Sequence, residues 1–585
     1  MFRRALLPIP FAAALLVLSA CGSSTNPAAT PAATPAVSAQ DALPTATPIK
    51  HLVVIYGENR SFDHYFGTYP VATNPPGEPV FTAAANTPTV DGLTTALLTN
   101  NPNATGAANV TKATAMGFPT TDMNPFRIDR QQANTADQNH AYTPEQLAED
   151  NGAMDAFVAN TGTASAGGSN AFGTVAQVMG YFDGNTVTGY WNYAQNYAMS
   201  DNAYTDSFGP STPGALAVVS GTTNGAVAVV GTANTIPDNA GGLTLINDTD
   251  PAYDVCSSKT STVKMTSKNI GDLLNAANIT WGSFMGGFDL TAQNANASVT
   301  CGRSTYSATL NTSPTDYVPH HNWFQYYAST SNYSHARPSS PTTIGFSKLA
   351  DGVTPEPANH EYDYNDFVTA VKAGNYPSVS YIKAPAVGDG HPGNSDPIDE
   401  QEFVVNLVNF IQQQPDWKST AVIVTYDDSD GWYDHKFAQP TTSSADAVTV
   451  ETINGPTSTV NSTIAGADQV SGPGTCTSAS AKPGVGITLS PVNGRCGPGT
   501  RIPFIVISPW VTPNTVSHVQ ITQSSVVRFI EDNWLGGTRI GQGSNDANAG
   551  DIRALFNFTG NTGPASTLFL DPTLGTKLSA PPAQS

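Results

Sequence analysis

Apolar residues fall along this chain in two rhythms. HLVVI (51–55), the VSYI of YPSVSYIKAP, TAVIVTY (420–426) and the FIVI of IPFIVISPW are short unbroken runs rich in β-branched and aromatic residues. Runs of that length predict strands buried on both faces. SKNIGDLLNAAN, DEQEFVVNLVNFIQQQPDW and QSSVVRFIEDNW repeat apolar positions every three to four residues instead, which predicts amphipathic helices. In the second of these, Asp399 and Glu402 have the spacing of a capping box ahead of an apolar face of Phe403, Leu407, Phe410 and Ile411. Strand and helix signals alternate from residue 50 to residue 535 without a second linker. The fold class that follows is α/β: a mostly parallel central sheet with helices on both faces and long loop insertions. One domain over 48–560 is expected, with a C-terminal tail at 561–585. Within it, 436–500 is poor in apolar periodicity and rich in Ser, Thr, Gly, Ala and Pro, and reads as a surface insertion.

The first residues concern destination. A basic MFRR and the apolar ALLPIPFAAALLVLSA form an export signal over 1–20, too short and too interrupted by Pro8 and Pro10 for a comfortable membrane span. LSAC (18–21) resembles a bacterial lipoprotein box, which would make Cys21 a lipid-bearing residue. The alternative is an ordinary signal peptide cut near Ala20. Residues 21–47 alternate Pro with small residues and read as a tether. The expected location is therefore outside the cytoplasm, anchored in a membrane through Cys21 or otherwise secreted. Four further cysteines, Cys256, Cys301, Cys476 and Cys496, suit two disulfides in an oxidising compartment. Pairing Cys256 with Cys301 and Cys476 with Cys496 closes the shortest loops, and three connectivities are open. Charge narrows the partners: 24 Lys and Arg against 45 Asp and Glu give a net charge of −21, which argues against nucleic acid and against attraction to an anionic membrane surface.

Candidate chemistry gathers at strand ends, where open α/β sheets bind ligands. Glu58 and Asn59 directly follow the first apolar run, and Asp427 and Asp428 directly follow TAVIVTY. Three carboxylates and an amide form an all-oxygen set suited to one divalent cation. In DSFGPSTPGALAVVSGTT, Pro213 suits the first position of a helix, which would leave Ser211 just ahead of an N-terminus that favours anions. Most of the ten histidines lie in polar, aromatic clusters, among them His140, His320, His321, His360, His391, His435 and His518. Together they offer donors to phosphate oxygens and a proton for a leaving group.

Six ordered blocks, ENRSFDHYFGTYP, GPSTPG, PHHNWFQYY, KAPAVGDGHPGNSDPIDEQ, YDDSDGWYDH and RIPFIVISPWV with SHVQITQSSVVRFIEDNW, resemble the bacterial phosphoesterase family of acid phosphatases and phospholipases C, within the alkaline-phosphatase superfamily. The resemblance covers about residues 48 to 560. It implies a metal held by Glu58, Asn59, Asp427 and Asp428, a nucleophile at Ser211, and a site lined by His140, His321 with its neighbour His320, and His391. Gly214 and Ala215 follow Pro213 where the phospholipase branch continues TTPNR, which is closer to the acid-phosphatase branch and to phosphomonoesters. The implied reaction is metal-dependent hydrolysis through a phosphoserine, with His321 or His391 assisting the phosphoryl oxygens or the leaving group. A phospholipase C acting on diesters is the alternative. A non-catalytic surface-binding lipoprotein is a third reading, and it has no need for a nucleophile beside a metal set.

Overall fold

The computed structural model describes residues 40–119, 123–163, 171, 173–237, 242–292, 301–443, 450–454, 459–465, 481–559 and 567–583. Its centre is an eight-stranded sheet of β1 (His51–Gly57), β2 (Ala198–Ser200), β3 (Trp281–Met285), β4 (Glu361–Asp363), β5 (Val379–Lys383), β6 (Thr420–Tyr426), β7 (Phe504–Ile507) and β8 (Thr515–Ser517). They lie in the order β4-β3-β5-β1-β6-β7-β2-β8. Only β7 runs against the others. The apolar runs are buried as the pattern requires. Leu52, Val53 and Val54 have no exposed surface, and each such side chain contributes about 1.5–3 kcal/mol by leaving water.

Two faces of the sheet carry helices. Tyr56 donates to the carbonyl of Gly214 in α3 (Ser211–Ser220) and accepts from Gln523 at the start of α5 (Ser524–Trp534). The next residue, Gly57, faces Tyr426 and Glu400 of α4 (Pro397–Gln412), so neighbouring strand positions address opposite helix layers. Two helices that precede α3 in the chain are α1 (Tyr142–Glu149) and α2 (Thr188–Asn196). A four-stranded antiparallel sheet follows α3 in the chain, formed by Asn224–Val230, Thr235–Pro237, Leu243–Leu245 and Thr262–Met265.

Several local expectations need correction. Helix α4 begins at Pro397, and Asp396, not Asp399, is its N-cap, accepting from the Ile398 and Asp399 amides. Proline is favoured at a first helical position and Asp396 caps it, so Asp399 falls inside the first turn, where its carboxylate receives the Ser307 hydroxyl. The buried residues of α4 include Val404, Val405, Leu407, Val408 and Ile411, while Phe403 and Phe410 are half-buried. Its polar Gln401, Asn409 and Gln412 are buried as well, because they bind the backbone of Thr573, Leu570 and Leu568. Part of the segment read as a tail thus lies along α4, with Leu570 fully buried.

The stretch read as a surface insertion also turns inward at its end: Val492, Arg495 and Cys496 are buried. The Arg495 guanidinium binds the carbonyls of Val485, Gly543 and Gly221. A disulfide joins Cys256 to Cys301. Cys476 lies outside the described residues, as do Cys21, the export signal and most of the tether. Among the described residues no helix is long and apolar enough to cross a membrane.

Candidate active site

The carboxyl ends of β1, β5 and β6 meet the N-terminus of α3. Ser211 is the first residue of α3, with Pro210 as N-cap and Pro213 two positions further in. The first helical N–H groups have no partner inside the helix, so proline is tolerated there and the helix starts earlier than Pro213 alone suggested. Gly209 (φ +117°) makes the turn before it. Gly214 lets α3 touch the strand exit: a Cβ there would stand 2.0 Å from the carbonyl oxygen of Asp427. That approach brings the Ser211 hydroxyl to Glu58 Oε2, to which it donates at 2.9 Å, with Asp428 Oδ2 at 3.4 Å. Ser211 is 1% exposed and belongs to a buried helix start rather than to an open loop.

Around the serine the two strand exits are tied together. The Asn59 amide N–H donates to Asp427 Oδ1 at 3.0 Å, and its side-chain Nδ2 donates to Asp430 Oδ1 at 3.0 Å. Asn59 itself is left-handed (φ 61°), a conformation asparagine adopts more readily than most residues. Sequence reasoning missed one group of first importance here. Lys383, at the end of β5, is buried with its ammonium against Glu58 Oε1 and 3.6 Å from Asp427 Oδ2. Burial pulls its pKa down against the opposing pull of Asp427, Asp389 and Asp428. Asp428 is pushed well above the usual carboxylate range by burial and by the charge of Asp427.

These residues fit a divalent cation. Glu58, Asp427 and Asp428 with Lys383 leave two uncompensated negative charges when all are ionised. Asn59 Oδ1 is buried without a hydrogen-bond donor among the described residues, and Asp427 Oδ2 has the Lys383 ammonium no nearer than 3.6 Å. All the oxygens are hard donors. Ligand atoms of Glu58, His321 and Asp389 also lie within 4.8 Å of one another, so the same carboxylate has nitrogen and oxygen neighbours on its other side.

The histidines divide by environment. Burial disfavours a charged His140, yet Asp428, Asp430 and Asp137 outweigh it and hold its pKa well above the ordinary value. His320 is raised as well, against burial, through Asp248 and Asp250, and it is the more exposed of the PHH pair. His321 is pushed well below the ordinary value by burial and by His320 and His391, and its Nδ1 lies 3.2 Å from Glu58 Oε1. Burial also lowers His391, whose Nδ1 faces the carbonyl of Pro392. The rings of His140 and His391 are 5.9 Å apart and those of His321 and His391 6.3 Å, so the three line one wall. His360, His435 and His518 are engaged elsewhere: with Trp281, with Asp63, and with Asp201.

A model of the phosphoesterase family matches residues 49–535, a span that includes every residue of this site. The chain belongs to the phosphoesterase family. Similar members include a non-hemolytic phospholipase C of Pseudomonas aeruginosa, 30% identical over 189 residues, which are 32% of this chain and 24% of that protein. A non-hemolytic phospholipase C of Burkholderia pseudomallei is 27% identical over 237 residues, 40% of this chain and 29% of the relative. Phospholipase C B of Mycobacterium tuberculosis is 24% identical over 202 residues, 34% and 33% of the two chains. The matched segments thus span about a quarter to a third of these relatives' length.

Proposed function

We propose that the protein hydrolyses phosphoric esters, with Ser211 as the nucleophile. The observation that carries this reading is the Ser211 hydroxyl at the start of α3, hydrogen-bonded to Glu58 inside the family's matched span. A helix N-terminus favours the phosphoryl group it would attack. Ser211 Oγ forms a bond to phosphorus, its proton passes to the Glu58 carboxylate, and the bond from phosphorus to the leaving oxygen breaks. His140, held charged by its carboxylates, gives the leaving oxygen a proton. Water then attacks the phosphoserine, returning a proton to His140, while the Ser211 oxygen recovers its own from Glu58. His321 and His391 are held neutral and orient the groups around them, a different division from one in which either supplies the leaving-group proton. When bound, a divalent cation on Glu58, Asn59, Asp427 and Asp428 would supply positive charge beside the serine and the phosphoryl oxygens.

A phosphomonoester is the first substrate class, supported by Gly214–Ala215 in place of the phospholipase continuation and by neighbouring carboxylates that raise the pKa values of both His140 and His320 against burial. The phosphodiester reading is favoured by the relatives' names. Hydrolysis of p-nitrophenyl phosphate set against p-nitrophenyl phosphorylcholine separates the two, and mass spectrometry of acid-quenched protein should find phosphate on Ser211. Hydrolysis of neither compound refutes the reading. Anchoring through Cys21 belongs to the same proposal: the mature protein should enter the detergent phase, and Cys21→Ser should release it or block its processing. An unchanged, fully soluble product from both forms refutes the anchor.

A further inference from the structure

We propose that Glu145 is a positioning residue that fixes the nucleophile turn against the acidic strand exit. It lies in the first turn of α1, five residues after His140, and is 1% exposed. Both of its carboxylate oxygens are used. Oε2 accepts from the backbone N–H of Gly209 at 2.8 Å, and Oε1 accepts from the Ser429 hydroxyl at 2.9 Å. Gly209 makes the turn that delivers Ser211, two residues on. Ser429 follows Asp428 directly, and its hydroxyl in turn accepts from the Gly431 amide at 3.1 Å. One carboxylate therefore joins two loops that are more than 200 residues apart in sequence, and each carries half of the proposed reacting constellation. A buried amide at Gly209 and a buried hydroxyl at Ser429 both need acceptors, and Glu145 supplies one to each. A buried carboxylate that takes one donor from each side sets the distance between Ser211 and Asp428 as a rigid spacer would.

The inference rests on Ser211 being the reacting group, and the test uses two readouts so that the two ideas fail separately. In full-length protein purified with its metal, Glu145→Ala should lower kcat for p-nitrophenyl phosphate by at least about tenfold and leave KM within about threefold, because a small misplacement costs rate more than binding. Glu145→Gln should stay within about threefold of wild type, since its amide oxygen accepts from Gly209 and its amide hydrogens reach a Ser429 hydroxyl that has turned to accept. Hydrogen exchange read by mass spectrometry should show segments 207–215 and 427–432 exchanging faster together in Glu145→Ala, with the rest of the chain unchanged. Ser429→Ala cuts one arm only; it should lower kcat by a smaller factor and speed exchange at 207–215, and it keeps the test decisive if Glu145→Ala does not fold. Wild-type kcat and exchange in Glu145→Ala, or in Ser429→Ala should the first variant not fold, overturn the proposal, as does faster exchange spread evenly over the chain. If the wild type hydrolyses neither p-nitrophenyl compound, the reaction reading fails, while the paired exchange behaviour still decides whether Glu145 joins the two loops.

Discussion

Lys383→Met isolates the electrostatics of the site. Methionine keeps most of the side-chain length and apolar volume and removes the ammonium. At the 3.6 Å separation from Asp427, two unit charges interact by about 5 kcal/mol at an effective dielectric constant near 20. Removing one partner of a buried pair costs about 3–5 kcal/mol in practice, because the other charge is left uncompensated. For a domain of this size that lowers the melting temperature by roughly 3–5 °C. The variant should therefore melt earlier than wild type after dialysis against EDTA. Manganese should then restore more stability to the variant than to wild type, because with all three carboxylates ionised around the cation the charge of the cluster goes from −2 to −3. A rise in Mn²⁺ affinity of at least about tenfold corresponds to only about 1.4 kcal/mol of that added attraction. Scanning fluorimetry across an Mn²⁺ titration reads both effects. An EDTA-treated variant that melts with or above wild type, or an unchanged Mn²⁺ affinity, would refute the account of Lys383 as the cluster's built-in counter-charge.

Ser211→Ala should remove at least about a thousandfold of kcat while keeping the far-ultraviolet spectrum of wild type; activity near wild type would move the nucleophile to Thr212 or discard the mechanism. Chelation should lower activity and melting temperature together, and Asp427→Asn should lose bound metal with a smaller thermal penalty, since it also relieves repulsion; protein without stoichiometric metal, fully active after prolonged EDTA, contradicts the site. His435 gives a pH prediction away from the site. Burial opposes its charge, but Asp63, in contact at 2.7 Å, and Asp434 lift its pKa from 6.5 to about 9. Its stabilising contribution is full below 6.5 and is lost as pH rises from there through about 9, at most about 3 kcal/mol. Melting curves of wild type should fall over that window and those of His435→Asn should not; parallel curves for the two proteins would show that His435 is not responsible.

The sheet centre was readable because strands buried on both faces become unbroken apolar runs, and Glu58, Asn59, Asp427 and Asp428 stood out as polar pairs at the ends of two of them. Lys383 escaped notice for the converse reason. It is a single polar residue closing a run, with no adjacent partner, and its role depends on β5 lying beside β1 in the sheet. A lysine ending an otherwise buried strand, in a chain poor in cations, was the available signal. Glu145 was hidden differently: a glutamate in TPEQLAE looks like any exposed helix residue until the loops it holds fold over it. The short strands β2 and β8, three residues each, exist through pairing rather than through any local pattern. The start of α4 was misplaced because Asp396 and Asp399 offer the same capping chemistry, and Pro397 decides between them.

The position of β1 bears on how the polypeptide reaches its final state. It is the first strand of the sheet to leave the ribosome, yet it lies in the middle of the sheet, and both of its neighbours come much later: Leu52 pairs with Val379 and Ala421, about 330 and 370 residues downstream. Throughout most of synthesis HLVVI has no mate, and an unpaired apolar strand invites wrong partners. Completion of the sheet therefore waits on the last third of the chain, and holding HLVVI out of non-native pairings until then is a requirement the topology itself imposes.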